Sequence, residues 1–117
     1  MTFKFKRKRI LLSEKSKNSK AIGYARATDN EYEYLEEQIK ILKKEGCSLV
    51  FSEIISLDEE IKPQLNKAIN SLSKGDQLII TQLDRAFKNK KECLWTINKL
   101  INKDIKLRTL TCFFASN

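Results

Sequence analysis

The 117 residues include no histidine, and this one absence removes imidazole acid–base catalysis and every serine–histidine triad. Three cysteines at wide spacing (Cys47, Cys93, Cys112) leave zinc without a ligand set. Their odd number also argues against a disulfide framework and for the cytosol. One proline and three glycines exclude collagen-like and Pro/Gly-rich disordered chains. No apolar run approaches the roughly 18 residues of a membrane span. The stretch Ile10-Leu11-Leu12 behind the basic N-terminus is too short for a signal-peptide core. The expectation is a cytoplasmic protein that needs neither metal nor cofactor and stays off the membrane.

What is abundant is positive charge, and it is unevenly placed. The net charge is +8, but residues 1–20 hold eight of the 23 basic side chains against Glu14 alone. The remaining residues carry fifteen basic and fourteen acidic groups and are nearly neutral. The chain therefore divides into a basic N-terminal arm, 1–20, and one domain, 21–117, whose size suits a single modest core. Lys4, Lys6, Arg7, Lys8 and Arg9 of the arm are candidate DNA-phosphate contacts, which bind any sequence and weaken with salt. A solvated tail is the alternative reading of the same residues. Phe3 and Phe5 alternate with these charges, a thin basis for base stacking.

Within the domain, short apolar runs alternate with helical periodicity. Ala21-Ile22-Gly23-Tyr24-Ala25 suits a buried strand, and Thr28, Asp29 and Asn30 after it have helix-capping character. Leu35, Gln38, Ile39 and Leu42 mark one face of a helix that Gly46 stops. Leu49-Val50-Phe51 is a second strand. Pro63 fits the first turn of a helix burying Leu65, Ala68, Ile69 and Leu72 and stopping near Gly75. Leu78-Ile79-Ile80 is a third strand. Leu94, Ile97, Leu100 and Ile101 mark a third amphipathic helix, with Cys93, Leu94 and Trp95 expected against the sheet, and Leu107 to Leu110 a fourth strand. This alternation predicts an α/β fold, a three-layer sandwich around a central four- or five-stranded, mostly parallel sheet.

In such folds reacting groups gather at the carboxyl ends of the strands. Arg26 and Thr28 follow the first strand there; Asp84, Arg85 and, one turn on, Lys88 follow the third. A hydroxyl among fixed cations suits attack on a phosphodiester, because the cations stabilise the charge that grows in the transition state. The plainer reading is an Arg26–Asp84 ion pair with Thr28 as a helix cap.

Ile22-Gly23-Tyr24-Ala25-Arg26 resembles the opening of the serine recombinase (resolvase/invertase) catalytic domain, in which the nucleophilic serine stands two places after the arginine. The resemblance continues through Leu35-Glu36-Glu37-Gln38, Phe51-Ser52-Glu53 with Ser56, Lys62-Pro63-Gln64-Leu65, Gly75-Asp76 and Leu83-Asp84-Arg85, in order over about residues 21–110. It implies a resolvase-like fold and a serine that joins DNA phosphate in a transient phosphoester, without metal or nucleotide. Carried over by position, Arg26 grips the scissile phosphate, Thr28 takes the nucleophile's place, and Gln38 supports the site. Lys62 and Lys88 replace phosphate-binding arginines, while Asp84 and Arg85 keep their identities. DNA is the implied partner, together with a second copy or another recombinase subunit.

Three departures from the family pattern predict reduced activity. The serine is missing, and the methyl of Thr28 crowds an in-line approach. Lysine lacks the planar fork with which arginine holds phosphate, and one lost donor commonly costs roughly 3 kcal/mol of transition-state stabilisation. Ser56-Leu57 replaces the usual Ser-Gly. Family members continue into a long helix and usually a helix-turn-helix, so this chain is expected to lack the C-terminal DNA-binding domain. The rival expectation is an inactive accessory or relic protein that associates with a full-length recombinase. A receiver-like signalling domain is a third; it would want an acidic cluster where these strand ends are cationic.

Overall fold

The computed structural model describes residues 19–111. The candidate DNA contacts Lys4, Lys6, Arg7, Lys8 and Arg9 lie outside the described residues, as does Cys112. Four strands, β1 (Ala21–Ala27), β2 (Leu49–Ile54), β3 (Gln77–Gln82) and β4 (Lys106–Thr111), form one parallel sheet in the order β2-β1-β3-β4. Between them run α1 (Tyr32–Lys44), α2 (Pro63–Asn70), the four-residue α3 (Leu83–Ala86) and α4 (Lys90–Asn102).

The strand order dictates the layers. From β1 the chain steps outward to β2, then back across β1 to β3 and on to β4. Right-handed crossovers in opposite directions must lie on opposite faces of a sheet. Accordingly Leu35 and Leu42 of α1 pack on Ala25, Ala27 and Ile79 on one face. Leu65, Ala68 and Ile69 of α2 and Cys93 and Leu100 of α4 pack with Ile22, Tyr24, Leu78 and Ile80 on the other. The central strands are buried on both faces, from Ile22 to Ala27 and from Leu78 to Thr81, as a covered parallel sheet requires. Gly23 lets α1 approach: a Cβ there would lie 3.1 Å from both Cys47 Sγ and Leu42 Cδ1.

Three local expectations are corrected. Thr28, Asp29 and Asn30 do not cap α1 with their side chains; Glu31 is the N-cap residue, and its carboxylate reaches back to accept from the Thr28 amide at 3.0 Å. The second helix ends at Asn70, and Leu72 packs from the turn beyond it, before Gly75 at φ +91°. On α4 the buried residues are Cys93, Thr96 and Leu100, whereas Leu94, Trp95 and Ile101 are 60%, 63% and 60% exposed. At about 100° per residue this stripe is centred roughly 80° from the Leu94/Ile97/Leu100/Ile101 face. Cys93 and Thr96 are small enough to let the helix sit close, and Leu94 and Ile101 rotate outward.

Candidate active site

β1 is where the crossovers diverge: α1 leaves its carboxyl end for one face, while the segment after β3 turns to the other. Such a switch point opens a crevice outside the strand ends. β1 pairs with β2 as far as Ala27↔Ile54, but its pairing with β3 runs only from Ala21↔Gln77 to Gly23↔Ile79.

The Arg26 side chain lies in this region, 3% exposed. Its Nε donates to the Arg85 carbonyl at 2.7 Å and its Nη1 to the Ile55 carbonyl at 2.6 Å. The guanidinium thereby ties the α3 turn and the loop after β2 to the central strand. Gln38, buried on α1, donates Nε2 to the Arg26 carbonyl at 2.9 Å. Among the described residues Arg26 pairs with no carboxylate, so the Arg26–Asp84 bridge is not formed.

Thr28 stands just past β1, half-buried, in a turn closed by the Glu31 amide donating to the Thr28 carbonyl at 3.0 Å. One oxygen of the Glu31 carboxylate accepts from the Thr28 amide, and the other lies 3.5 Å from Arg85 Nη1. The hydrogen bond from the Thr28 amide above all, with Arg85 beside it, holds the Glu31 carboxyl below the usual range. The Arg85 guanidinium also lies over the Tyr34 ring, 5.0 Å from its centroid, and Tyr34 donates its hydroxyl to Gln82 Oε1 at 2.9 Å. Burial raises the Tyr34 phenol above its ordinary value. Asp84 is half-buried in the first turn of α3. Arg26, Thr28, Gln38 and Arg85 thus belong to one linked cluster, with Asp84 on the same turn.

Lys62 and Lys88 belong to a second cluster, around Glu92. Lys62 Nζ is buried 2.7 Å from Glu92 Oε2 and 2.7 Å from the Glu59 carbonyl, with the Leu57 carbonyl at 3.4 Å. The exposed Lys88 contributes its amide, which donates to Glu92 Oε1 at 2.7 Å. Tyr24 adjoins both clusters. Its hydroxyl donates to Glu53 Oε2 at 2.6 Å, and burial together with that carboxylate holds the phenol protonated far above its ordinary value. Glu53 also accepts from the amides of Gln64 at 3.0 Å and Leu65 at 3.3 Å, so a side chain of β2 caps the open end of α2.

Glu31, Tyr34, Glu53 and Glu92 are therefore neighbours of the candidate residues that sequence reasoning passed over. Thr28 and Glu31 have the spacing of a capping box, whose reciprocal half is the bond seen here. Asn89 and Glu92 repeat it, with the Glu92 amide donating to Asn89 Oδ1 at 2.8 Å. Glu53 sat inside a recognised motif without an assigned role. Nothing local marks the partnership of Lys62 with Glu92, thirty positions apart.

Among the described residues no group of three His, Cys, Asp or Glu side chains is arranged to hold a metal ion. No helix there is long and apolar enough to cross a membrane. A concavity of about 670 Å³ lies at the opposite, amino-terminal pole of the sheet, lined by Lys20, Gly46, Lys74, Gly75 and Lys106 among others; none of the candidate residues among those described lines it.

The profile of the family described as "Resolvase, N terminal domain" matches residues 21–115. A DNA-invertase of Enterobacteria phage P7 is 32% identical over 90 residues, covering 77% of this chain and 48% of that protein. The serine recombinase gin of Escherichia phage Mu is 31% identical over 90 residues, covering 77% and 46%. The chain spans about half the length of the curated relatives it matches. The C-terminal catalytic domain of ISC1926 TnpA, an IS607-like serine recombinase, superposes with a TM-score of 0.70 at 19% identity, over 83% of this chain and 71% of that one. At that identity the likeness is one of fold.

Proposed function

Because this chain belongs to the resolvase N-terminal domain family, we propose that it is the catalytic half of a site-specific DNA recombinase of the serine type, working at reduced rate with Thr28 in the nucleophile's place. The observation that carries this reading is the cluster at the switch point, where Thr28, through its amide at 3.0 Å, and the Arg85 guanidinium, at 3.5 Å, meet at the Glu31 carboxylate. The same two residues suit a phosphodiester: the guanidinium holds the non-bridging oxygens while the Thr28 hydroxyl oxygen attacks phosphorus. A new P–O bond forms, the bond to one deoxyribose oxygen breaks, and that oxygen takes up a proton. Resealing reverses these steps on a new partner strand.

The other residues have supporting roles in this reading. Arg26 and Gln38 frame the strand end, Asp84 sits on the turn that presents Arg85, and Lys88 and the arm cations Lys4, Lys6, Arg7, Lys8 and Arg9 meet neighbouring phosphates. Lys62 is the weakest of the assigned phosphate ligands, since its ammonium is buried against Glu92. A second copy, or another recombinase subunit, would share the DNA with this chain in the cytoplasm.

The test is covalent capture. On a pool of nicked duplexes of randomised sequence, the wild type is expected to leave a low level of protein–DNA adduct, increased in Thr28→Ser and absent from Thr28→Val. No adduct from either the wild type or Thr28→Ser would overturn the catalytic reading. A second reading, an accessory protein that no longer cuts, is favoured by the two cations this fold uses internally, Arg26 on backbone carbonyls and Lys62 on Glu92. It predicts co-purification with an intact recombinase and no adduct from any variant.

A further inference from the structure

Glu31 has no counterpart among the roles considered so far, yet both oxygens of its carboxylate are engaged inside the cluster. One accepts from the Thr28 amide at 3.0 Å and the other faces Arg85 Nη1 at 3.5 Å. A tetrahedral phosphate oxygen pair seated at this strand end would meet the same donors. We propose that the Glu31 carboxylate occupies the anion seat of the DNA-free protein and is displaced when a phosphate enters, which makes it a positioning residue that sets how tightly the site takes its substrate. The inference rests on the reading of this cluster as a phosphodiester site.

The physical case is one of unequal anchors. Arg85 has two: the Tyr34 ring at 5.0 Å, which stays, and the Glu31 carboxylate, which is exchangeable. The Arg85 side chain is 45% exposed and that of Glu31 30%, so their attraction is screened by water and readily given up. Tyr34 is itself fixed by its bond to Gln82, and the guanidinium therefore keeps its place over the ring after the carboxylate swings out. A phosphate then gains two charge-assisted contacts from a guanidinium that is already oriented. Until that exchange, the carboxylate fills the place beside the Thr28 amide that a phosphate oxygen would take. Glu31 in this way makes anion entry at Thr28 and Arg85 a competition with its own carboxylate.

The experiment titrates the full 117-residue chain with inorganic phosphate and follows the Thr28 amide and Arg85 Nε–H resonances by NMR. Reading these two positions separates the site from phosphate bound elsewhere, including at the basic arm. Glu31→Gln, which keeps shape and removes charge, is expected to bind phosphate at this site about fivefold more tightly than the wild type, the effect of removing one unit charge about 4 Å away in water. Adding Arg85→Gln should cancel the gain. Glu31→Ala serves as a second variant if the amide of Glu31→Gln itself occupies the seat, and should show the same gain. Equal affinities in the wild type and both single variants would overturn the role of Glu31 and leave the phosphodiester site standing. Resonances that no variant moves with phosphate would overturn both.

Discussion

Two cation–carboxylate pairs flank the carboxyl ends of the sheet, and they differ mainly in their access to water. Lys62 and Glu92 lie 2.7 Å apart with side chains 2% and 17% exposed, and backbone carbonyls take up the rest of the ammonium. Arg85 and Glu31 lie 3.5 Å apart with side chains 45% and 30% exposed. Burial makes the first pair a clamp that joins the loop before α2 to α4, because neither charge can be left alone there. Exposure makes the second pair a provisional contact that another anion can replace. Similar letters in the sequence thus have different uses, and solvent access decides which.

The largest effect should come from breaking the clamp. Lys62→Met leaves Glu92 without its partner and is expected to cost about 3 kcal/mol or more in urea unfolding. Lys62→Met/Glu92→Leu should recover most of that loss, and a double variant no more stable than the single one would contradict the clamp. Next in size is Glu53→Gln. It removes a charged acceptor from Tyr24 and from two amides of α2, and should cost about 2 kcal/mol, with Tyr24→Phe nearer 1.

Replacing the exposed pair should by contrast leave the urea midpoint almost unmoved while changing anion binding. Its signature lies in pH. The Glu31 carboxyl is held below its ordinary value in the folded protein, first by the Thr28 amide. Its contribution to stability is therefore present above the unfolded value and lost as pH falls through the lowered one. Carbon-13 NMR of Glu31 should show the depressed titration, and an ordinary midpoint would break the contrast between the pairs. The smallest effect concerns Cys47 and Cys93. Burial raises both thiols above their ordinary value, so native protein should alkylate far more slowly at these positions than unfolded protein.

Four strands and three principal helices were legible in the sequence because each is short and apolar in the right period, and glycine turns at Gly46 and Gly75 mark the stops after two of the helices. The resolvase-like fold was legible for the same reason, with motifs in register along the strands. The face of α4 was legible only at Cys93 and Leu100, because Thr96 does not read as apolar yet is buried, while Leu94, Trp95 and Ile101 face outward. The direction of the cap at Thr28 was misread because a threonine before a helix usually lends its own side chain, whereas here Glu31 lends its carboxylate back. Arg26 was legible as a residue at the strand end. Its attachment to the Arg85 and Ile55 carbonyls was not, since those partners are 59 and 29 positions away. Long-range polar partnerships leave no periodic trace, and they are what turn a row of candidate cations into one exposed and one buried group.

The central claim is that the hydroxyl at position 28 is the group that joins DNA. The most direct measurement is tandem mass spectrometry of adducts recovered from Thr28→Ser after nuclease and protease digestion. The account predicts a nucleotide linked to the side chain at position 28. A nucleotide on any other residue, with the position-28 peptide unmodified, would contradict it.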